Sequence, residues 1–171
     1  MTPLIFTYQY NSANQRTRAT LDETGEFWDF AYDSLGQVIN GTKKLPSGTP
    51  VPGYDFNYTF DEIGNRISSK APESSSGTST YAPVNELNQY QTRSIPRRVD
   101  VIGTANPTAT ITVNGQAASF TGDYFLKTFD YSSEPNPYDA RLDIYAVEGT
   151  LTGGGDGGAD AIATDEGEIF L

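Results

Sequence analysis

The chain has 171 residues, no Cys, no His and a formal charge of −11, with 17 Gly, 10 Pro, 11 Tyr and 9 Phe. A compact fold of this length buries about 70% of the surface its unfolded chain exposes, and the bias toward aromatics and turn formers is that of β-structure. The missing Cys excludes disulfides and thiol catalysis, the missing His removes the commonest general base and metal ligand near neutral pH, and the acidity argues against a grip on nucleic acid or an anionic bilayer.

The N-terminal MTPLIFTYQY carries neither a basic leader nor an apolar core, and no stretch reaches the roughly 18 apolar residues that cross a bilayer, so no targeting signal and no membrane insertion are expected. A pattern then starts at YQYNSANQRT, residues 8–17. It returns as FAYDSLGQVI at 30–39 and as YTFDEIGNRI at 58–67, with the second aromatic moving from Tyr10 to Tyr32 to Phe60 at spacings of 22 and 28 residues. Between copies, Glu23, Thr24 and Gly25 mark a second turn, and KKLPSGTPVPG is expected to be an inserted Pro/Gly loop that lengthens the second spacing. NELNQY at 85–90 is a fourth, degraded copy: Asn85, Asn88 and Gln89 repeat the order of Asn11, Asn14 and Gln15, without the preceding aromatic pair.

Each part of the unit has a physical role. Tyr8 with Tyr10, Phe30 with Tyr32, and Tyr58 with Phe60 stand two residues apart, so each pair falls on one face of a strand. Asn11, Asp33 and Asp61 suit the first position of a tight turn, where the side chain accepts from backbone N–H groups beyond it. Gly36 and Gly64 follow at the fourth position, where a left-handed backbone carries no Cβ penalty, and Asn14 is the best non-Gly substitute there. The prediction is strand, turn, strand: a hairpin of about 22 residues that buries its apolar face only by stacking on its neighbours.

The unit resembles the tyrosine/aspartate repeat of the Rhs and YD-repeat proteins, over residues 6 to about 70 and more faintly over 81–90. That resemblance implies a secreted or cell-surface protein whose repeats wind into a β-sheet shell around a C-terminal toxin. It also implies shell-building, non-catalytic roles for Tyr8, Tyr10, Asn11, Asn14, Phe30, Tyr32, Asp33, Gly36, Tyr58, Phe60, Asp61 and Gly64. With three or four repeats and no D-P-x-G-L element, the chain is expected to be a piece of such a protein or a truncated paralogue.

SSKAPESSSGTSTYAP, residues 68–83, reads as an exposed Ser-rich linker. Beyond it, Val99 and Val101 alternate, Asn114-Gly115 is a strong hairpin signal, and YFLKTF and RLDIYAV offer further strands of a small β-sandwich-like module. Acidity concentrates in this half: residues 101–171 carry 2 Lys or Arg against 11 Asp or Glu. In the tail LTGGGDGGADAIATDEGEIFL the Asp spacing departs from that of a calcium-binding Gly-Asp repeat and only one copy is present, which favours an acidic tail over a metal site.

The expected organisation is all-β: YD-type hairpins over 1–70, a Ser-rich linker with the degraded repeat over 71–92, a small β module over 93–148 and a flexible acidic tail over 149–171. Asp29, Asp33, Asp55 and Asp61 are the carboxylates from which a glycosidase pair would have to come, but none stands apart from the repeat pattern. The expectation is therefore a non-catalytic structural segment with no cofactor and no metal, partnered by further YD repeats of a parent shell or by another protein. The alternative is a carbohydrate- or protein-binding module that uses exposed aromatics.

Overall fold

The computed structural model describes residues 3–70, 78–134, 139–148 and 161–170. All the described elements are β-strands, every pairing is antiparallel, and the chain divides into two compact units, Met1–Pro96 and Arg97–Leu171.

In the first unit, β1 (Phe6–Tyr10), β2 (Arg16–Leu21), β3 (Phe27–Tyr32), β4 (Val38–Lys44), β5 (Pro50–Phe60), β6 (Arg66–Lys70) and β7 (Thr78–Thr80) lie side by side in chain order in one sheet. Three of its hairpins close with one turn. Asn11 Oδ1 accepts from Ala13 N and Gln15 N, both at 3.0 Å. Asp33 Oδ1 accepts from Leu35 N at 3.0 Å and Gln37 N at 2.8 Å, and Asp61 Oδ1 from Ile63 N at 3.1 Å and Asn65 N at 2.7 Å. The fourth position is left-handed each time, with φ of 60° at Asn14, 83° at Gly36 and 92° at Gly64. A register shift beside Tyr10, Tyr32 and Phe60 completes the three-residue loop with its bulge. The opposite rim of the sheet turns at Gly25 and Gly48, with φ of 71° and 87°.

The same turn occurs a fourth time. Asn85 Oδ1 accepts from Leu87 N and Gln89 N, both at 3.0 Å, and Asn88 has φ of 59°. The two arms meet at a Tyr81–Arg93 bridge and through Ala82 N donating to Thr92 O at 3.0 Å.

The strand register sorts side chains onto two faces. One face carries Phe6, Tyr8, Trp28, Phe30, Tyr54, Phe56 and Tyr58, with Trp28 stacked on Phe30 and Phe56 at centroid distances of 6.3 and 6.1 Å. Gly41 pairs with both Phe30 and Phe56, and its missing side chain lets the Phe30 ring cover the strand at 3.6 Å from where a Cβ would stand. The other face is mostly polar, with Phe27 covered by the Arg18 guanidinium at 3.9 Å. Asp29 accepts from Arg18 Nε at 2.7 Å and Lys44 Nζ at 3.0 Å, and Asp55 accepts from Thr42 Oγ1 at 2.5 Å and Asn40 Nδ2 at 2.9 Å. Among the described residues of this unit only Phe27 and Val51 are buried apolar side chains, so cross-strand pairs rather than a deep core hold the sheet.

The second unit comprises β8 (Arg98–Thr104), β9 (Thr110–Val113), β10 (Gln116–Ala117), β11 (Ser119–Thr121), β12 (Tyr124–Asp130), β13 (Asp139–Glu148) and β14 (Ala161–Phe170). They form a four-stranded sheet, β10-β9-β13-β14, and a three-stranded sheet, β11-β12-β8. Both sheets contribute to one core, Val101 and Phe125 from one and Ile111 and Val113 from the other. Asn114 and Gly115 both have positive φ, 49° and 71°, as a two-residue hairpin turn demands.

Three segments differ from the sequence reading. The expected Pro/Gly loop is mostly strand: β4 continues through Lys44, a tight turn occupies 45–49, and β5 begins at Pro50, with irregular pairing that accommodates two prolines lacking N–H donors. Within the Ser-rich segment, Thr78–Thr80 form β7 on the edge of β6, because alternating Ser and Thr satisfy a ladder without needing a core. Ala161–Phe170, assigned to the tail, pair with β13 as β14. Residues 149–160, where the Gly-Asp motif falls, lie outside the described residues.

Candidate functional site

Arginines follow the first and third turns at equivalent places, two residues after the left-handed position. The Arg16 guanidinium lies 4.0 Å from the centroid of the Tyr8 ring and that of Arg66 lies 4.7 Å from Tyr58, each ring standing eight residues before its arginine. A charge above an aromatic face is attracted by the ring quadrupole, by about 0.5–1 kcal/mol at exposed sites. Lys43 approaches Tyr54 at 5.4 Å and also pairs with Glu26 at 2.9 Å.

Where β6 meets the fourth hairpin, these elements enclose a cavity of about 280 Å³ lined by Asp61, Asn65, Arg66, Ile67, Tyr81 and Tyr90. Tyr81 is placed by its backbone N–H, which donates to Ile67 O at 2.9 Å. Its ring lies 5.2 Å from that of Tyr90, and the guanidiniums of Arg66 and Arg93 both lie 6.0 Å from its centroid. Hydrogen bonds from Ser69, then Arg66 and Arg93, outweigh the effect of burial and hold the Tyr81 phenol down at about 8. On the cavity wall the Asn65 amide, followed by the turn's backbone N–H groups, keeps the Asp61 carboxyl below its ordinary value.

The residues singled out in the sequence take two places. Asn11, Asn14, Asp33, Gly36, Asp61 and Gly64 make the turns, and of these Asp61 also lines the cavity. Tyr8, Phe30, Tyr58 and Phe60 stand along the strands, Tyr8 and Tyr10 are exposed, and Tyr32 donates its hydroxyl to Arg16 O at 2.7 Å. The four carboxylates do not assemble into a pair. Asp29 is held by Arg18 and Lys44, Asp55 by Thr42 and the amides of Asn40 and Asn57, and Asp33 and Asp61 by their own turns. Among the described residues no group of three or more Asp or Glu is placed to hold a metal ion, and no helix is long and apolar enough to cross a membrane.

Tyr81, Tyr90, Arg66 and Arg93 were not singled out by the sequence reading. The recurring signal was the arginine after the turn, at 16 and 66, eight residues beyond an aromatic. No protein-family model matches the chain, and no curated protein matches it significantly.

Proposed function

We propose that the first unit is a binding module that presents its exposed aromatics and the Tyr81 cavity to a carbohydrate or protein ligand. The observation that carries this is the convergence of two tyrosine rings and the Arg66 guanidinium on one cavity of about 280 Å³, with the Arg93 guanidinium also 6.0 Å from the Tyr81 ring. Such a combination offers an apolar platform for the C–H face of a sugar or for a side chain, with the fork-shaped donor of Arg66 beside it. The cavity stands at the small end of ligand sites, roughly 300–1,000 Å³, and suits one sugar unit or one side chain of a partner. Its role is recognition without catalysis or cofactor. The test is calorimetric titration of the full chain with short oligosaccharides and with peptides. Binding that Tyr81→Ala and Tyr90→Ala each weaken supports the reading; affinities unchanged by both substitutions refute it.

A second reading is favoured by the four equivalent turns: a structural segment of a secreted or cell-surface Rhs/YD-repeat shell, whose partners are further YD repeats. Support lies in the shared hydrogen-bond pattern of Asn11, Asp33, Asp61 and Asn85 and in the chain-order pairing of the strands. The parent gene tests it, because this reading requires additional copies of the unit flanking the chain.

A further inference from the structure

Two guanidiniums meeting at one phenol raise the question of what balances them. The ion pairs among the described residues join Arg18 and Lys44 to Asp29, Lys43 to Glu26, Arg98 to Asp100 and Arg141 to Asp143; neither Arg66 nor Arg93 takes part. The nearby carboxylate, Asp61, is committed elsewhere. Its Oδ1 accepts the backbone N–H groups of Ile63 and Asn65, and its Oδ2 accepts the Asn65 amide at 2.9 Å. Both guanidiniums lie 6.0 Å from the Tyr81 ring, and hydrogen bonding from Ser69, then from Arg66 and Arg93, draws the phenol toward the phenolate. An uncharged phenol is a poor counterpart for two cations, whereas an oxyanion in the cavity accepts from the Arg66 fork and takes charge-assisted hydrogen bonds roughly twice as strong as neutral ones.

The remaining walls are of different character. Tyr81 and Tyr90 present ring surface, and Ile67, Pro83 and Val84 add apolar contact. A bare inorganic ion leaves that surface unused. A ligand matching the whole cavity has an oxyanion on a small body with an apolar face, and at this volume the body is one sugar ring.

We propose that the cavity lined by Arg66, Tyr81 and Tyr90 is the site of an acidic saccharide, whose carboxylate or sulfate pairs with Arg66 while its ring packs on the tyrosines, with Arg93 adding its charge beside Tyr81. The proposal deepens the binding reading and rests on it. It also fits an otherwise acidic chain: the local positive charge of Arg66 selects a short acidic ligand, while the overall charge of −11 repels long polyanions.

The test uses the full chain and three disaccharides of matched size, one bearing a uronate, one a sulfate and one neutral, with free sulfate as a fourth titrant. The expected result is roughly tenfold tighter binding of at least one acidic disaccharide than of the neutral one, the worth of one charge-assisted bond. Arg66→Gln should remove most of that difference and Arg93→Gln part of it, whereas equal losses of neutral and acidic binding in Arg66→Gln would overturn the acidic specificity. Far-UV circular dichroism confirms that these exposed-residue variants fold. As an independent readout, the acidic ligand should move the Tyr81 phenol from about 8 back toward its ordinary value of 10.0 as a negative charge arrives beside it and Arg66 turns to the oxyanion. Equal binding of neutral and acidic disaccharides, lost with Tyr81→Ala, would overturn the acidic specificity and keep the binding module. Free sulfate binding as tightly as the sulfated disaccharide would overturn the saccharide contact. No binding of any titrant would overturn the inference, while peptide binding lost with Tyr81→Ala would preserve the broader reading.

Discussion

Replacing Gly64 isolates what the turn contributes. Its φ of 92° lies in the left-handed region, and a Cβ built there meets nothing nearer than Gln37 Nε2 at 3.8 Å. Space is therefore no obstacle, and the cost is almost wholly the backbone conformation. A left-handed L-residue costs about 1–2 kcal/mol, while removing a glycine recovers about 0.4–1 kcal/mol by restricting the unfolded chain. The net expected for Gly64→Val is about 1 kcal/mol of destabilisation, which lowers the melting temperature of a unit of this size by roughly 4–8 °C. Asn already occupies the equivalent position at Asn14 and Asn88 with φ of 60° and 59°, so Gly64→Asn should cost only a few tenths of a kcal/mol. Trp28, the one Trp of the chain, lies in the same sheet, and its fluorescence during thermal unfolding follows this unit. An unchanged midpoint in Gly64→Val, or equal losses for Val and Asn, would refute the argument.

Three further outcomes follow from other parts of the molecule. In the second unit a Cβ at Gly103 would lie 2.5 Å from the ring of buried Phe125, so Gly103→Ala should destabilise by about 1–3 kcal/mol. Gly41→Ala meets Phe30 only at 3.6 Å and should cost less; circular dichroism melts that reverse the order would contradict this. On the polar face, burial tends to raise the Asp29 and Asp55 carboxyls, but hydrogen bonds from Arg18 and Lys44, and from Thr42, Asn40 and Asn57, outweigh it and leave both below the ordinary 3.8. Their contribution to stability is thus complete above the ordinary carboxylate range and lost as pH falls through the depressed folded values. Urea titrations from pH 6 to pH 2 should show that loss reduced in Asp29→Asn, and an identical pH profile in the variant would contradict it. At the turn tips Leu35, Ile63 and Leu87 are 64%, 77% and 76% exposed, so their replacement together by Ser should leave the unfolding midpoint within about 0.5 kcal/mol, as measured in urea.

The hairpin unit was legible because its chemistry is local. An Asp or Asn that accepts from N–H groups two and four residues ahead, and a Gly or Asn at the fourth place, are readable within five residues, even at Asn85 where the aromatic pair is missing. β7 was not, since Thr78–Thr80 have no apolar alternation and are strand only because β6 offers them a partner edge. Pro50 and Pro52 read as breakers, yet an irregular pairing around buried Val51 keeps them in β5. The cavity was hidden for a third reason. Arg66, Tyr81 and Arg93 are separated by a dozen residues or more and meet through sheet register, which no local spacing encodes.

The proposed binding role and its acidic ligand both begin from guanidiniums converging on one phenol, and a tyrosine titration reads that convergence directly. Difference absorbance at 295 nm, recorded on the full chain and on Tyr81→Phe, separates this hydroxyl from the other ten tyrosines. One phenolate forming at about pH 8, absent from Tyr81→Phe and moved upward in Arg66→Gln and Arg93→Gln, is the predicted result. Identical curves for the wild-type chain and Tyr81→Phe below pH 9 would contradict the account.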